Sequence, residues 1–254
     1  MNASAPTLGR CARIHLVFRR EFRAYFATPL AAVFLVIFLF LAGLFTFNIG
    51  SLYERDQADL RPFFQFVPWL FLLILPAVSM RLWADERRTG TIELLVTLPL
   101  ALSDLVLGKF FAAWAFAIVA VLLTLPFWVT VSWLGDPDHG ALASGYLATI
   151  LLAGFMLSIG ALISASTKNQ VIAFVLSVAV CFIILLLGYP AALDVARAFV
   201  PNGVIEALAS TSALTHFDAL MRGVIDLRDV LYFGLGIALF LWLNTTVIDW
   251  KKSD

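Results

Sequence analysis

Charge is what this chain has least of. Only 13% of its 254 residues are Asp, Glu, Lys or Arg, while 62% are hydrophobic. A soluble domain carries about a quarter charged residues. The shortage is concentrated in six intervals with no charge at all, residues 24–53, 62–80, 110–135, 139–167, 169–193 and 230–248, each at least 19 residues long. About 20 apolar residues cross the hydrocarbon core of a bilayer as a helix. A soluble helical core needs a charged outer face, which these intervals do not offer. The composition excludes a soluble globular protein and predicts an all-α integral membrane protein.

Catalytic signatures are missing as well. A phosphate-cradling loop needs GxxxxGK[ST], but the single Gly-Lys pair, Gly108-Lys109, is followed by Phe and lacks the upstream glycine. HExxH and GxSxG are absent. The two cysteines, Cys11 and Cys181, lie far apart with no CxxC pattern, so neither a disulfide nor a metal site is expected. His15, His139 and His216 stand alone in interfacial or loop segments and read as surface groups. The chain is predicted to catalyse nothing alone, to hold no cofactor and to bind no nucleic acid. Ionisable residues are also missing from mid-depth in the charge-free intervals; Asn48, Gln65 and Asn244 fall near span ends. Proton- and sodium-coupled carriers mark their pathways with such groups, so the energy for any transport is expected to come from elsewhere.

What is present is a regular alternation of spans and loops. Six spans are predicted at about 30–48, 63–80, 105–133, 145–165, 171–189 and 230–248. Pro68 and Pro76 are expected to bend the second. The third is too long for one straight crossing, so it tilts, kinks at Pro126 or projects beyond the bilayer. The fourth carries small-xxx-small pairs, Gly154/Ser158, Gly160/Ser164 and Ala161/Ala165, which permit close helix approach. Twelve of the 17 Lys and Arg flank one set of loops and five the other. The richer side is predicted to be cytoplasmic, with both termini there. No cleavable signal peptide is expected, because the first apolar segment is long and lacks a clear cleavage site.

Ahead of the first span, residues 12–27 read as an amphipathic helix lying on the cytoplasmic surface. Ile14, Val17, Phe18, Phe22 and Tyr25 share one face, and Arg13, Arg19, Arg20 and Arg23 share the other. Glu21 breaks this pattern by falling inside the apolar arc. It either reaches the headgroups or a neighbouring Arg, or contacts another helix or subunit. Between spans 5 and 6, residues 190–229 form an outer segment too polar to cross, predicted as amphipathic helices around 194–200 and 205–224.

The most informative stretch is residues 81–104. Arg81, Asp85, Glu86, Arg87 and Arg88 precede a Thr89-Gly90 break, followed by an apolar run that Pro99 ends. Thr89 is a plausible N-cap for a short helix over 91–98, on which Thr89, Glu93 and Thr97 line one narrow polar stripe. Such a helix needs the headgroup region or a protein groove to cover its apolar face. A soluble partner could grip it there, or it could be no more than an interfacial loop.

ADERRTGTIELLVTLPL followed by LGKF resembles the second loop of permease subunits in type-2 ABC exporters, nearest the gliding-motility-associated branch. RREFRAYFATPLA, PWLFLLILPAVSMRLWADERRTGTIELL, STKNQVIAF and MRGVIDLRDVLYF extend the likeness over nearly the whole chain. The resemblance implies a six-span permease of the bacterial inner membrane, paired with a second copy or a sister permease. It further implies two cytoplasmic ATPase subunits that bind the ATP, and leaves room for an extracytoplasmic accessory protein. In this likeness 12–27, with Arg20, Glu21 and Arg23, corresponds to the elbow helix, and 89–98 to the coupling helix. Arg87, Arg88, Thr89, Glu93 and Thr97 would meet the ATPase, and the tight turn at Lys168 and Asn169 would make a second contact. The alternative is a membrane carrier, channel or assembly anchor not driven by ATP.

Overall fold

The computed structural model describes residues 9–54, 57–91, 101–197, 203 and 210–251, and among these the chain is helical with no strand. Helix α1 (Arg10–Ala27) ends at Thr28, which Pro29 holds extended at φ −110°, ψ 138°. Helix α2 (Pro29–Gly43) then runs into a π-helical turn, Leu44–Ile49. Next come α3 (Arg61–Ser79), α4 (Arg81–Thr89), α5 (Leu102–Leu122) and α6 (Leu125–Leu134). The chain continues with α7 (His139–Ser166), α8 (Gln170–Leu186), α9 (Pro190–Arg197), α10 (Ala213–Met221) and α11 (Leu227–Trp250).

Five stretches are long and apolar enough to cross a membrane: Ala31–Ile49, Arg61–Thr89, Leu102–Leu134, His139–Ser166 and Leu227–Trp250. Helix α8 is apolar but shorter, at 17 residues. Pro68 and Pro76 sit inside α3 without ending it. The third stretch breaks between α5 and α6, just before Pro126, where the ring clashes with the preceding turn and no amide is available. Thr124 occupies the break, its hydroxyl 2.6 Å from the Val121 carbonyl oxygen and 3.2 Å from the Tyr146 hydroxyl. The fourth stretch begins at His139 rather than near 145, because the Asp138 carboxylate accepts from the amides of Gly140 and Ala141 at 2.8 and 3.2 Å. Asn169 caps α8 in the same way. The outer segment is described only as α9 and α10, and α10 stops at Met221, where Gly223 turns the chain at φ 89°.

Helix α7 is the hub, packed by α3, α4, α5, α8, α10 and α11. Its small residues face inward: Gly154, Ser158, Gly160 and Ser164 are all buried within this single chain. Gly160 is the tightest point, since a Cβ there would lie 1.9 Å from the Ser79 hydroxyl oxygen. At the bundle end far from α1, rings interlock: Phe47 and Phe127 (5.2 Å between centroids), Phe63 and Phe127 (5.6 Å), Trp128 and Tyr146 (5.6 Å). The opposite end is held by charge.

Candidate functional site: the charged junction of α1, α4 and α5

The amphipathic helix expected on the membrane surface is present as α1, but it runs lengthwise along α5. Arg10 and Arg13 reach Asp104, Val17 seats on Gly108, and Tyr25 stacks on Phe116 at 5.1 Å. Both helices advance together through these contacts. The reason is local: Gly108 lacks a side chain, and a Cβ there would come within 2.6 Å of Val17. Asp104 lies in the first turn of α5, where a carboxylate complements the helix dipole. It is fully buried, with Arg10 Nε at 3.1 Å and Arg13 Nε at 2.7 Å. Burial, reinforced by the Glu21 carboxylate, raises the Tyr25 phenol, so its stack on Phe116 stays uncharged.

Lys109, counted in the sequence among the basic residues that flank the loops, is buried inside α5 instead. It lies two turns into α5 with 2% of its surface exposed. Its Nζ is 2.7 Å from Glu86 Oε1, 2.9 Å from the Leu82 carbonyl oxygen and 3.5 Å from Glu21 Oε1, with the Trp83 ring 5.0 Å away. One ammonium therefore ties α1, α4 and α5 together. Glu21, the residue that broke the amphipathic pattern, faces this ammonium and also accepts from Arg20 Nη2 at 2.5 Å. Of the alternatives the sequence left open for it, a neighbouring Arg and another helix both contact it within the chain.

Helix α4 carries the charged stretch Arg81 to Arg88. Thr89 is the last residue of α4, its hydroxyl bonded to the Asp85 carbonyl oxygen at 2.9 Å, with Gly90 closing the helix at φ 73°; the helix it was expected to cap, 91–98, lies outside the described residues beyond Thr91. Two features let the charged stretch stay helical: its first turn is buried, and its carbonyl at Leu82 meets Lys109. At the junction with α3, Ser164 of α7 enters the hydrogen-bond ladder. Its Oγ accepts from the amides of Trp83 and Ala84, both at 3.1 Å, and donates to the Met80 carbonyl oxygen at 2.8 Å. A side chain inserted into the i→i−4 ladder is a recognised cause of a bend. Arg87 donates to the Ala165 carbonyl oxygen, Gln170 of α8 donates to Asp85, and Lys251 reaches the Ser166 carbonyl oxygen at 2.6 Å. Ser164→Ala orphans buried amides at a cost of about 1–3 kcal/mol. The expected outcome is a lower melting temperature with the helical content below melting unchanged, read by circular dichroism.

The structure thus brings Arg87, Glu21 and Ser164 into one junction and leaves Arg88, Thr89 and Lys168 exposed beside it. Among the described residues, Arg88 has only a 3.7 Å pairing to Asp85. Asn169 serves as the α8 cap, and Arg23 is exposed on α1. Glu93 and Thr97 lie outside the described residues. Asp104 and Lys109 were missed because both lie just ahead of the charge-free interval 110–135 and resemble a loop flank. His216 was also misread: it is buried, with its Nδ1 2.5 Å from Asp229 Oδ1.

Several long apolar helices around a buried core, with a charged junction at one end, define a multi-pass helical membrane protein. The family model described as ABC-2 family transporter protein matches residues 17–229. The chain belongs to that family, and is thereby a permease component of an ABC transporter, a membrane transport component associated with an ABC ATPase subunit. No curated protein matches the chain.

Proposed function

We propose that this chain is the membrane-spanning subunit of an ATP-driven, exporter-type ABC complex in the bacterial inner membrane. It pairs with a second copy or a sister permease. The ATP is bound and hydrolysed by separate cytoplasmic subunits, and the chain itself holds no cofactor and catalyses no reaction. Its topology is six spans with both termini cytoplasmic, α8 counting as the fifth: 17 helical residues reach about 26 Å, close to the hydrocarbon thickness of about 30 Å. The sequence likeness favours the gliding-motility-associated branch. The work delivered is movement of a substrate or action on an extracytoplasmic partner.

The observation that carries this reading is the build of α4. Its tip at Arg88 to Thr91 is exposed, while its root is fastened to α5 by Lys109 and to the α7–α8 corner by Ser164, Arg87 and Gln170. A push on the tip therefore reaches four helices at once, α1, α5, α7 and α8, instead of being absorbed in a loop. Lys168, exposed at the same corner, offers the partner a second charge. The test reverses both charges in the tagged full-length chain. Arg88→Glu with Lys168→Glu is expected to abolish copurification of the ATPase and the ATP hydrolysis of the complex, with the permease fold retained. Capture and hydrolysis at parental levels would remove the coupling role from this corner.

A further inference from the structure

At the bundle end far from the charged junction, His216 of α10 is enclosed between two groups that accept hydrogen bonds. Its Nδ1 is 2.5 Å from Asp229 Oδ1 of α11, and its Nε2 is 2.9 Å from the Ser210 carbonyl oxygen. The Tyr232 ring stacks on the imidazole at 4.1 Å between centroids, and its hydroxyl donates to the Thr211 carbonyl oxygen at 2.6 Å. His216 and Asp229 are 6% and 7% exposed, so water has little access to either contact. A carbonyl oxygen and an ionised carboxylate only accept, and a neutral imidazole has a single N–H. A neutral ring therefore leaves one nitrogen lone pair facing an oxygen lone pair in a dry site, which is costly. With a second N–H the ring satisfies both neighbours, one through a charge-assisted bond.

We infer that His216 and Asp229 form a proton-held latch, in which a doubly protonated imidazole docks residues 210–222 onto α11 and the loss of its second proton releases them. The direction follows from the hydrogen bonds: a doubly protonated ring satisfies both Asp229 and the Ser210 carbonyl oxygen and a neutral ring only one of them, so docking is favoured at low pH and weakens as pH rises. Helix α10 also packs on α3, α7 and α8. The titratable or charged groups of these elements are Arg61 on α3, His139 and Tyr146 on α7, and Cys181 on α8; α11 adds Arg228, Asp229, Tyr232 and Asp249. Among the described residues, only Asp229 lies within ion-pair distance of His216. On α10 itself, burial pushes the Asp218 carboxyl up, against Arg222 and Arg61, which draw it down. Its ionisation also weakens docking as pH rises, so the latch is to be read with Asp218 replaced. The latch stands on this geometry alone; only the compartment whose pH it senses, the extracytoplasmic one, rests on the topology proposed above.

The test uses the full-length protein in lipid nanodiscs, in an Asp218→Asn background. The chain has three histidines, so 15N labelling of the imidazoles with His216→Gln as the assignment control reports the protonation of this ring directly. Hydrogen exchange of residues 210–222, corrected for the intrinsic rate, is followed in parallel from about pH 5 to about pH 9. Both ring nitrogens are expected to carry protons while the segment is protected, and protection is expected to fall about tenfold or more as the second proton leaves. In the His216→Gln protein, protection should not vary with pH. Asp229→Asn, which removes the negative charge but keeps an acceptor, should move the transition to lower pH. A neutral ring in a protected segment would overturn the latch. So would equal protection at both pH limits, or a pH response that persists without His216 or is unmoved by Asp229→Asn.

Discussion

Replacing Lys109 by methionine is expected to unfold the charged junction. Methionine matches the length and volume of the lysine stem but donates nothing. Glu86 Oε1 and the Leu82 carbonyl oxygen would both lose their donor. Glu86 is the critical partner, because its other carboxylate oxygen is already buried without a hydrogen bond among the described residues. Removing one partner of a buried pair leaves an uncompensated charge and costs about 3–5 kcal/mol. Glu21 suffers less, since Arg20 still pairs with it. Thermal melts of the purified chain should therefore show a large loss for Lys109→Met and a substantial recovery for Lys109→Met with Glu86→Gln, which removes the stranded charge. A single variant within about 1 kcal/mol of the parent would assign Lys109 the modest energetics of a solvated ion pair.

The second large effect is steric. Gly160→Ala places a methyl 1.9 Å from Ser79 Oγ and 2.7 Å from Ser79 Cβ, a clash that no rotation of a side chain as short as serine removes. Helices α3 and α7 would have to separate. Overpacking a well-filled core typically costs about 1–3 kcal/mol, and this contact lies between α3 and the hub of the bundle. Exchanging the volumes across the contact, Gly160→Ala with Ser79→Gly, should restore most of the loss. The double-mutant cycle would then show an interaction energy of about 1 kcal/mol or more. Simple additivity of the two changes would mean that the helices accommodate the methyl elsewhere.

The long helices were legible because apolar length is a local property of the chain. Pro126 announced the break between α5 and α6, and Asp138 and Asn169 are the residue types that cap helices. The junction was only half legible. Glu21 stood out by falling in the apolar arc of α1, but its second partner, Lys109, lies on α5, and nothing in the periodicity of either helix links the two. Arg81 to Arg88 read as a charged run ahead of the Thr89-Gly90 break, with no sign that it packs as a helix against the bundle. It does so here because Ser164 and Lys109 satisfy the backbone from outside. The isolated position of His216 in the sequence concealed Asp229, which folding alone brings to its ring. The polar stripe of Thr89, Glu93 and Thr97 lies outside the described residues beyond Thr89, whose hydroxyl bonds the preceding turn of α4.

The contrast between the two ends of the bundle bears on where it yields. Ion pairs and capped amides are directional: a shift of an ångström or so forfeits them. The stacked and edge-on rings of Phe47, Phe63, Phe127, Trp128 and Tyr146 tolerate a range of offsets and tilts. A displacement imposed on the charged end is therefore expected to slide the ring layer until the directional bonds beside it, Thr124 to Tyr146 and His216 to Asp229, begin to resist.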